Sequence, residues 1–212
     1  MRGTGKDAES IAARRIRFTE AAYELFSSKD IHSVSLQDIA DATPYGIATL
    51  YRYFANKQTI VVEAAAWKWR QFLEENRKRR PHADFSGMTA AESFGFYLDS
   101  FLELYRNHQD LLRFNQFFNI YVQVEKVDAE TVKPYQTVIG EMEATFHEMY
   151  VKGLADHTLR TDIPEKEMFS TTLHLMLAAV TRYAVGLLYQ AGTDSEKELE
   201  LLKELLMMKF LA

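Results

Sequence analysis

Arg52 offers a planar fork of hydrogen-bond donors, and Lys57, five residues on, offers a flexible point charge. On a helix, a guanidinium can bond both acceptors on the edge of a guanine. An ammonium beside a helix N-terminus joins the free amides in favouring phosphate. This is chemistry for holding a nucleic acid, not for transforming a substrate. Catalytic arrangements are missing. No glutamate precedes any of the six histidines by three residues, so a di-iron Glu-x-x-His bundle is ruled out in that form. There is no His-Glu-x-x-His, no phosphate-binding loop and no Gly-x-Ser-x-Gly. Glu143 and His147 lie four residues apart, which an intrahelical pair explains. The expectation is no enzyme, no metal and no cofactor.

The elements that must position Arg52 and Lys57 are short helices. Ser35-Leu36-Gln37-Asp38 reads as a capping box, in which the Ser35 hydroxyl accepts from the amide of Asp38 while the Asp38 carboxylate reaches back. It starts a helix over residues 36–42, which Pro44 ends by disfavouring helical geometry in Thr43. A second short helix follows over residues 46–54. Leu36, Ile39, Leu50 and Tyr53 supply the inner faces, and Ala40 is small where the two helices meet. That is what a helix-turn-helix needs, with one helix to brace and the next to lie in the major groove. A longer helix over residues 9–28 precedes it. Asn56 caps another that runs to about residue 80, where Pro81 stops it.

Apolar residues recur at three and four along the rest of the chain, and period-two runs of β-branched residues are missing, so the fold is expected to be all-α. Further helices are expected over 89–107, 108–125, 128–153, 164–191 and 194–210, about nine in all, with Gly192 as a helix cap. A three-helix DNA-binding domain should occupy residues 1–55, and a larger helical bundle residues 56–212. Helix 56–80 connects them.

The 212 residues contain no cysteine, which excludes disulfides and thiolate metal sites. No apolar leader opens the chain and no apolar run is long enough to span a bilayer, so a cytoplasmic protein is expected. The net charge of −5 is unevenly spread: residues 1–60 carry 8 Lys+Arg against 7 Asp+Glu, but residues 81–212 carry 11 against 20. An acidic body with a locally basic head permits DNA binding. Arg77-Lys78-Arg79-Arg80 lies roughly 35 Å along its helix from Lys57, at 1.5 Å per residue, and reads as a solvated helix end.

Three blocks make the pattern specific. Phe18-Thr19-Glu20-Ala21-Ala22-Tyr23-Glu24-Leu25-Phe26 resembles the first-helix signature of the TetR family of bacterial regulators. Ser35-Leu36-Gln37-Asp38-Ile39-Ala40 matches its second helix. Thr49-Leu50-Tyr51-Arg52-Tyr53-Phe54-Ala55-Asn56-Lys57 resembles its Thr-Leu-Tyr-x-Tyr-Phe hallmark. The resemblance covers about Phe18 to Ile60. It implies that Ser35 and Gln37 lie near a phosphate. It places Tyr45, Gly46, Ile47, Thr49 and Arg52 around the recognition helix. Tyr51 would touch backbone or base, and Lys57 a phosphate. Departures bear on the operator sequence: Pro44 stands where the family has glycine, Tyr45 where it has valine, Gly46 where it has serine, and Ala48 where it has glycine. Proline cannot supply a positive φ, so the turn must be built differently.

The family further implies a repressor that binds a palindromic operator on double-stranded DNA as a homodimer and is released by a small apolar or amphipathic effector of unknown identity. No membrane partner is expected. Its last two helices dimerise, which here nominates Leu173, Leu177, Val180, Leu187, Leu199, Leu202 and Leu206. Aromatics at helical spacing read mostly as core, with a minority lining a cavity. The nominated lining is Trp67, Tyr97, Phe101, Phe117 and Tyr121, with His147, Tyr150 and His174 as further polar groups. A helical protein–protein adaptor with an architectural helix-turn-helix is the alternative; Arg52, Lys57 and the arginines at 14, 15 and 17 count against it.

Overall fold

A computed structural model of the chain describes residues 4–79, 87–186 and 194–212. Among these, nine α-helices and no strand are found: α1 Thr4–Ser28, α2 Leu36–Asp41, α3 Ile47–Leu50, α4 Lys57–Arg79, α5 Ala90–Asn107, α6 Gln109–Val124, α7 Ala129–Asp156, α8 Glu165–Val185 and α9 Ser195–Phe210. A short 3-10 turn, Ile31–Ser33, joins α1 to α2. The all-α expectation holds. No helix among the described residues is long and apolar enough to cross a membrane.

Local signals set most helix starts. Ser35 and Asp38 form the expected capping box. Asn56 Oδ1 accepts from the Thr59 amide at 2.9 Å ahead of α4. Thr89 and Glu92 make a second capping box ahead of α5, and Asp194 caps α9. Each cap satisfies amides that have no partner within the helix. Two differences from the periodicity stand out. The helix expected over 46–54 is regular only at Ile47–Leu50 and continues as turns, Tyr53 and Phe54 both donating their amides to Leu50 O. The helix expected to reach residue 191 ends at Val185, because Gly186 takes φ +105°, a conformation L side chains rarely adopt. The expected stop at Pro81 and cap at Gly192 lie outside the described residues.

Contacts divide the chain into two units, residues 1–72 with 114–138 and residues 73–113 with 139–212. Residue 55, the expected domain boundary, falls within the first unit.

In the first unit α1, α2 and α3 pack on one another. Phe18, Phe26, Ile31, Ile39, Leu50, Phe54, Ile60 and Phe114 are fully buried there. The Tyr23 and Phe114 rings meet edge-on at 5.2 Å. A polar knot ties three helices. Trp69 Nε1 of α4 donates to Asn115 Oδ1 of α6 at 3.1 Å, and the Tyr135 hydroxyl of α7 donates to the same oxygen at 2.9 Å. Pro134 removes one amide from the second turn of α7, and its own carbonyl accepts from Arg70 Nη2 at 3.2 Å.

In the second unit α5, α8 and α9 pack together. Phe94 meets Phe210 edge-on at 5.9 Å, and Phe146 meets Phe169 at 5.4 Å. The end of the described chain is pinned to the α7–α8 connection: Arg160 donates its amide to Phe210 O at 2.8 Å, and Ala212 donates to Thr158 O at 3.2 Å.

Candidate nucleic-acid interface and ligand cavity

The turn between α2 and α3 is built by Thr43. Its hydroxyl donates to Ala40 O at 2.9 Å, and the Tyr45 amide donates back to Oγ1 at 3.2 Å. One side chain thus bridges the end of the brace helix and the start of the reader. No residue of this turn has a positive φ; outside glycine, only Lys126 and His157 do among the described residues. A threonine bridge therefore builds this turn without a positive φ. The sequence signal for it was the Thr-Pro pair itself, since a short hydroxyl side chain bonds its own backbone readily in turns.

The turns that continue α3 present Tyr51 and Arg52 outward. Leu50 is buried beneath them. Tyr51 is 56% exposed and Arg52 is exposed. Arg52 makes no ion pair among the described residues, so its fork is uncommitted. Thr49 and Ile47 are half-buried. Gly46 is the N-cap of α3, extended at φ −80°, ψ 163°, and no side chain caps this helix. Nothing would meet a Cβ at Gly46 within 4 Å, so the backbone there is open to approach.

The other nominated contacts are partly engaged. The half-buried Tyr45 ring lies 5.5 Å from Phe18, with the Arg14 guanidinium 5.8 Å from its centroid, so it also braces the turn against α1. Ser35 Oγ is held by Asp38, whose carboxyl is kept below its ordinary range by Ser35. Gln37 Nε2 donates to Asp41 Oδ1 at 2.7 Å. Lys57 Nζ donates to His32 O at 3.2 Å; burial lowers its pKa, against the pull of Asp30, Glu125 and Asp38. Arg15 pairs with Glu63 and lies 5.1 Å over the Phe54 ring, tying α1 to α4. In the second unit the basic helix end is neutralised locally: Arg77 and Lys78 pair with Glu74, and Arg79 with Glu103.

Residues 18–64 match the family model described as bacterial regulatory proteins, tetR family. This N-terminal segment is similar to that family. Solved structures of similar fold match most of the chain. A TetR family protein from Vibrio parahaemolyticus is 16% identical, with a TM-score of 0.68 over 94% of this chain and 99% of that one. A protein from Saccharomonospora viridis in complex with choline is 18% identical, with a TM-score of 0.71 over 95% and 99%. The transcriptional regulator FadR from Bacillus subtilis, in complex with stearoyl-CoA, is 18% identical, with a TM-score of 0.66 over 91% and 97%. Among curated proteins no significant match is found.

The second unit holds a cavity of about 160 Å³. Ser93, Phe96 and Tyr97 of α5 form one side of it, and Thr145, Phe146, Glu148, Met149 and Lys152 of α7 the other. The Tyr97 hydroxyl is buried and has no hydrogen-bond partner among the described residues. Burial pushes its pKa far above the ordinary phenol value, so it stays protonated. An orphaned buried hydroxyl costs about 1–3 kcal/mol.

Of the eight residues nominated for a ligand, Tyr97 alone lines this cavity. Phe101 is buried and packs edge-on against Tyr97 at 5.4 Å. Tyr150 points its hydroxyl at Thr161 O and Ile163 O, at 3.1 and 2.8 Å, holding the α7–α8 connection. His147 is exposed and lies 3.0 Å from Glu165, and His174 is exposed on α8. Trp67, Phe117 and Tyr121 belong to the first unit. There Trp67 lies 6.0 Å from the Tyr23 ring, Phe117 is 44% exposed, and Tyr121 is buried beside His32 with its pKa pushed up to about 12. Phe96, Phe146 and Met149 were missed. Helical spacing shows that residues share a face, but not that the face meets a void.

The nominated dimer residues need a correction. Leu173, Val180, Leu199 and Leu206 are buried in the protomer's own core, so they offer a second copy no surface. Leu177 and Leu202 are half-buried, and Leu187 lies outside the described residues. The free apolar side chains are Leu175 and Val185 on α8 and Leu201, Leu205 and Met208 on α9, the last 80% exposed. Periodicity had marked two apolar faces on α9; the one nominated faces inward.

Proposed function

We propose that this chain is a DNA-binding transcriptional regulator, a homodimeric repressor that leaves a palindromic operator in the cytoplasm when a small effector binds. The observation that carries the reading is the open tract around α3: Arg52 and Tyr51 exposed, and Gly46 bare at an uncapped helix start, within the segment that matches the family. Free amides and an uncommitted guanidinium are what phosphate positioning and guanine readout require. Residues 1–55 supply the DNA-binding domain in this reading, and residues 56–212 the effector and dimer functions. The exposed leucines and Met208 of α8 and α9 form the dimer seam, because exposed large apolar side chains on two packed helices suit an association site. The cavity between α5 and α7 takes the effector. α4 contributes residues to both units, so chain continuity alone links a change in one to the head.

Selection of bound duplexes from a random pool, followed by gel shift at moderate salt, tests the reading. A palindromic consensus bound by a dimer is the expected result. Binding without sequence preference, or none, overturns it and favours the adaptor alternative.

A further inference from the structure

We infer that the cavity of the second unit takes a neutral single-ring compound with one polar substituent, its ring against Phe96, Phe146 and Met149 and its polar atom on the Tyr97 hydroxyl. This names the ligand class for the effector role proposed above and rests on that reading. Three observations carry it. The first is size. The cavity of about 160 Å³ is close to the ~150 Å³ apolar cavity that admits benzene, and well below the roughly 300–1,000 Å³ that drug-sized ligands occupy. A long acyl chain does not fit, although a structure of similar fold holds stearoyl-CoA.

The second is the lining. Phe96, Phe146 and Met149 supply ring faces and a polarizable thioether, which suit an aromatic ring. Glu148 and Lys152 add opposite charges, so the walls select neither sign in the ligand. The third is the one polar group left over. Ser93 and Thr145 donate their hydroxyls to Thr89 O and Glu141 O within their own helices, at 3.0 and 3.1 Å. Tyr97 has no such outlet. The hydroxyl is sealed from water, so a ligand oxygen accepts from it once the Tyr97 side chain turns toward the cavity, a turn from which a pure hydrocarbon gains nothing.

Isothermal titration calorimetry of the full chain with p-cresol, against toluene, benzoate and stearoyl-CoA, tests this. Saturable p-cresol binding at one per chain is expected, with toluene weaker by about tenfold. Tyr97→Phe should bring p-cresol down to the toluene level while melting no lower than the wild type, since it removes an unpartnered hydroxyl. Thr145→Phe, which fills the space, should abolish both. Equal affinity for p-cresol and toluene, p-cresol binding unchanged in Tyr97→Phe, or no ring compound bound overturns the inference. Gel shifts on the selected operator separate it from the effector reading. If p-cresol binds as described and the operator stays bound, this inference stands and the effector role falls. If stearoyl-CoA releases the DNA while p-cresol fails to bind, the effector role stands and this inference falls.

Discussion

α2 and α3 are neighbours of similar length, yet they are held in different ways. α2 is closed at its start by a reciprocal capping box between Ser35 and Asp38. α3 begins at a bare glycine with no side-chain cap and is fixed instead by Leu50 and Phe54 beneath it and by the Thr43 bridge before it. Both helices bury side chains, Ile39 and Ala40 in α2 and Leu50 in α3, but only α2 adds a side-chain cap. At the third position the amide is engaged in both, Asp38 donating to the Ser35 side chain and Thr49 to the backbone oxygen of Gly46 at 2.9 Å, so what α3 lacks is a capping side chain.

The comparison can be broken at its strongest point with Leu50→Ala. Leu50 is fully buried, so truncation should cost about 2–5 kcal/mol, lower the melting temperature and abolish operator binding through loss of α3. Denaturant unfolding beside gel shift checks this; binding retained at wild-type strength would show that burial does not hold the reader. Arg52→Ala should act on binding alone. A lost bidentate guanine contact is worth about 1–3 kcal/mol, and stability should not change because Arg52 makes no ion pair among the described residues. Arg52→Lys should not restore selectivity at that base pair, since an ammonium lacks the planar fork.

Ser35→Ala should cost about 1 kcal/mol of stability by removing the cap. It also carries a pH signature. The Ser35 hydroxyl and amide hold the Asp38 carboxyl below its ordinary 3.8, so the stabilisation is present above that value and is lost as pH falls through the lowered one. Acid melts of the variant should lack the hydroxyl's share of that decline and keep the share of the backbone amide, which still donates to Asp38. The smallest effect belongs to Gly46→Ser. A Cβ there meets nothing within 4 Å, so serine should cap α3 and raise stability by a few tenths of a kcal/mol. If the bare amide matters for phosphate, operator affinity should fall despite the gain, and an unchanged affinity would remove glycine's part in the contrast.

Signals confined to a few adjacent residues were legible in the sequence. The Ser35–Asp38 box, the Asn56 cap and the order of helices all follow from local hydrogen bonding and period. Ile39 and Leu50 were readable as core because they fall on the inner side of the motif. Three features needed the third dimension. Gly186 ends α8 although apolar periodicity continues beyond it. Leu199 and Leu206 face the protomer's own core while Leu201, Leu205 and Met208 face out, and period alone ranks neither face. The cavity depends on where α5 and α7 fail to fill the space between them, which no one-dimensional pattern records.

The Trp69–Asn115–Tyr135 knot has an optical consequence. The chain holds two tryptophans, and both are on α4. Trp69 is buried with its indole N–H bonded, whereas Trp67 is half-exposed. All indole emission therefore originates in the helix that contributes residues to both units. Its blue component should resist collisional quenchers while the red one yields to them. Any rearrangement that loosens the hold on Asn115 would appear as a shift between the two, with no label attached to the protein.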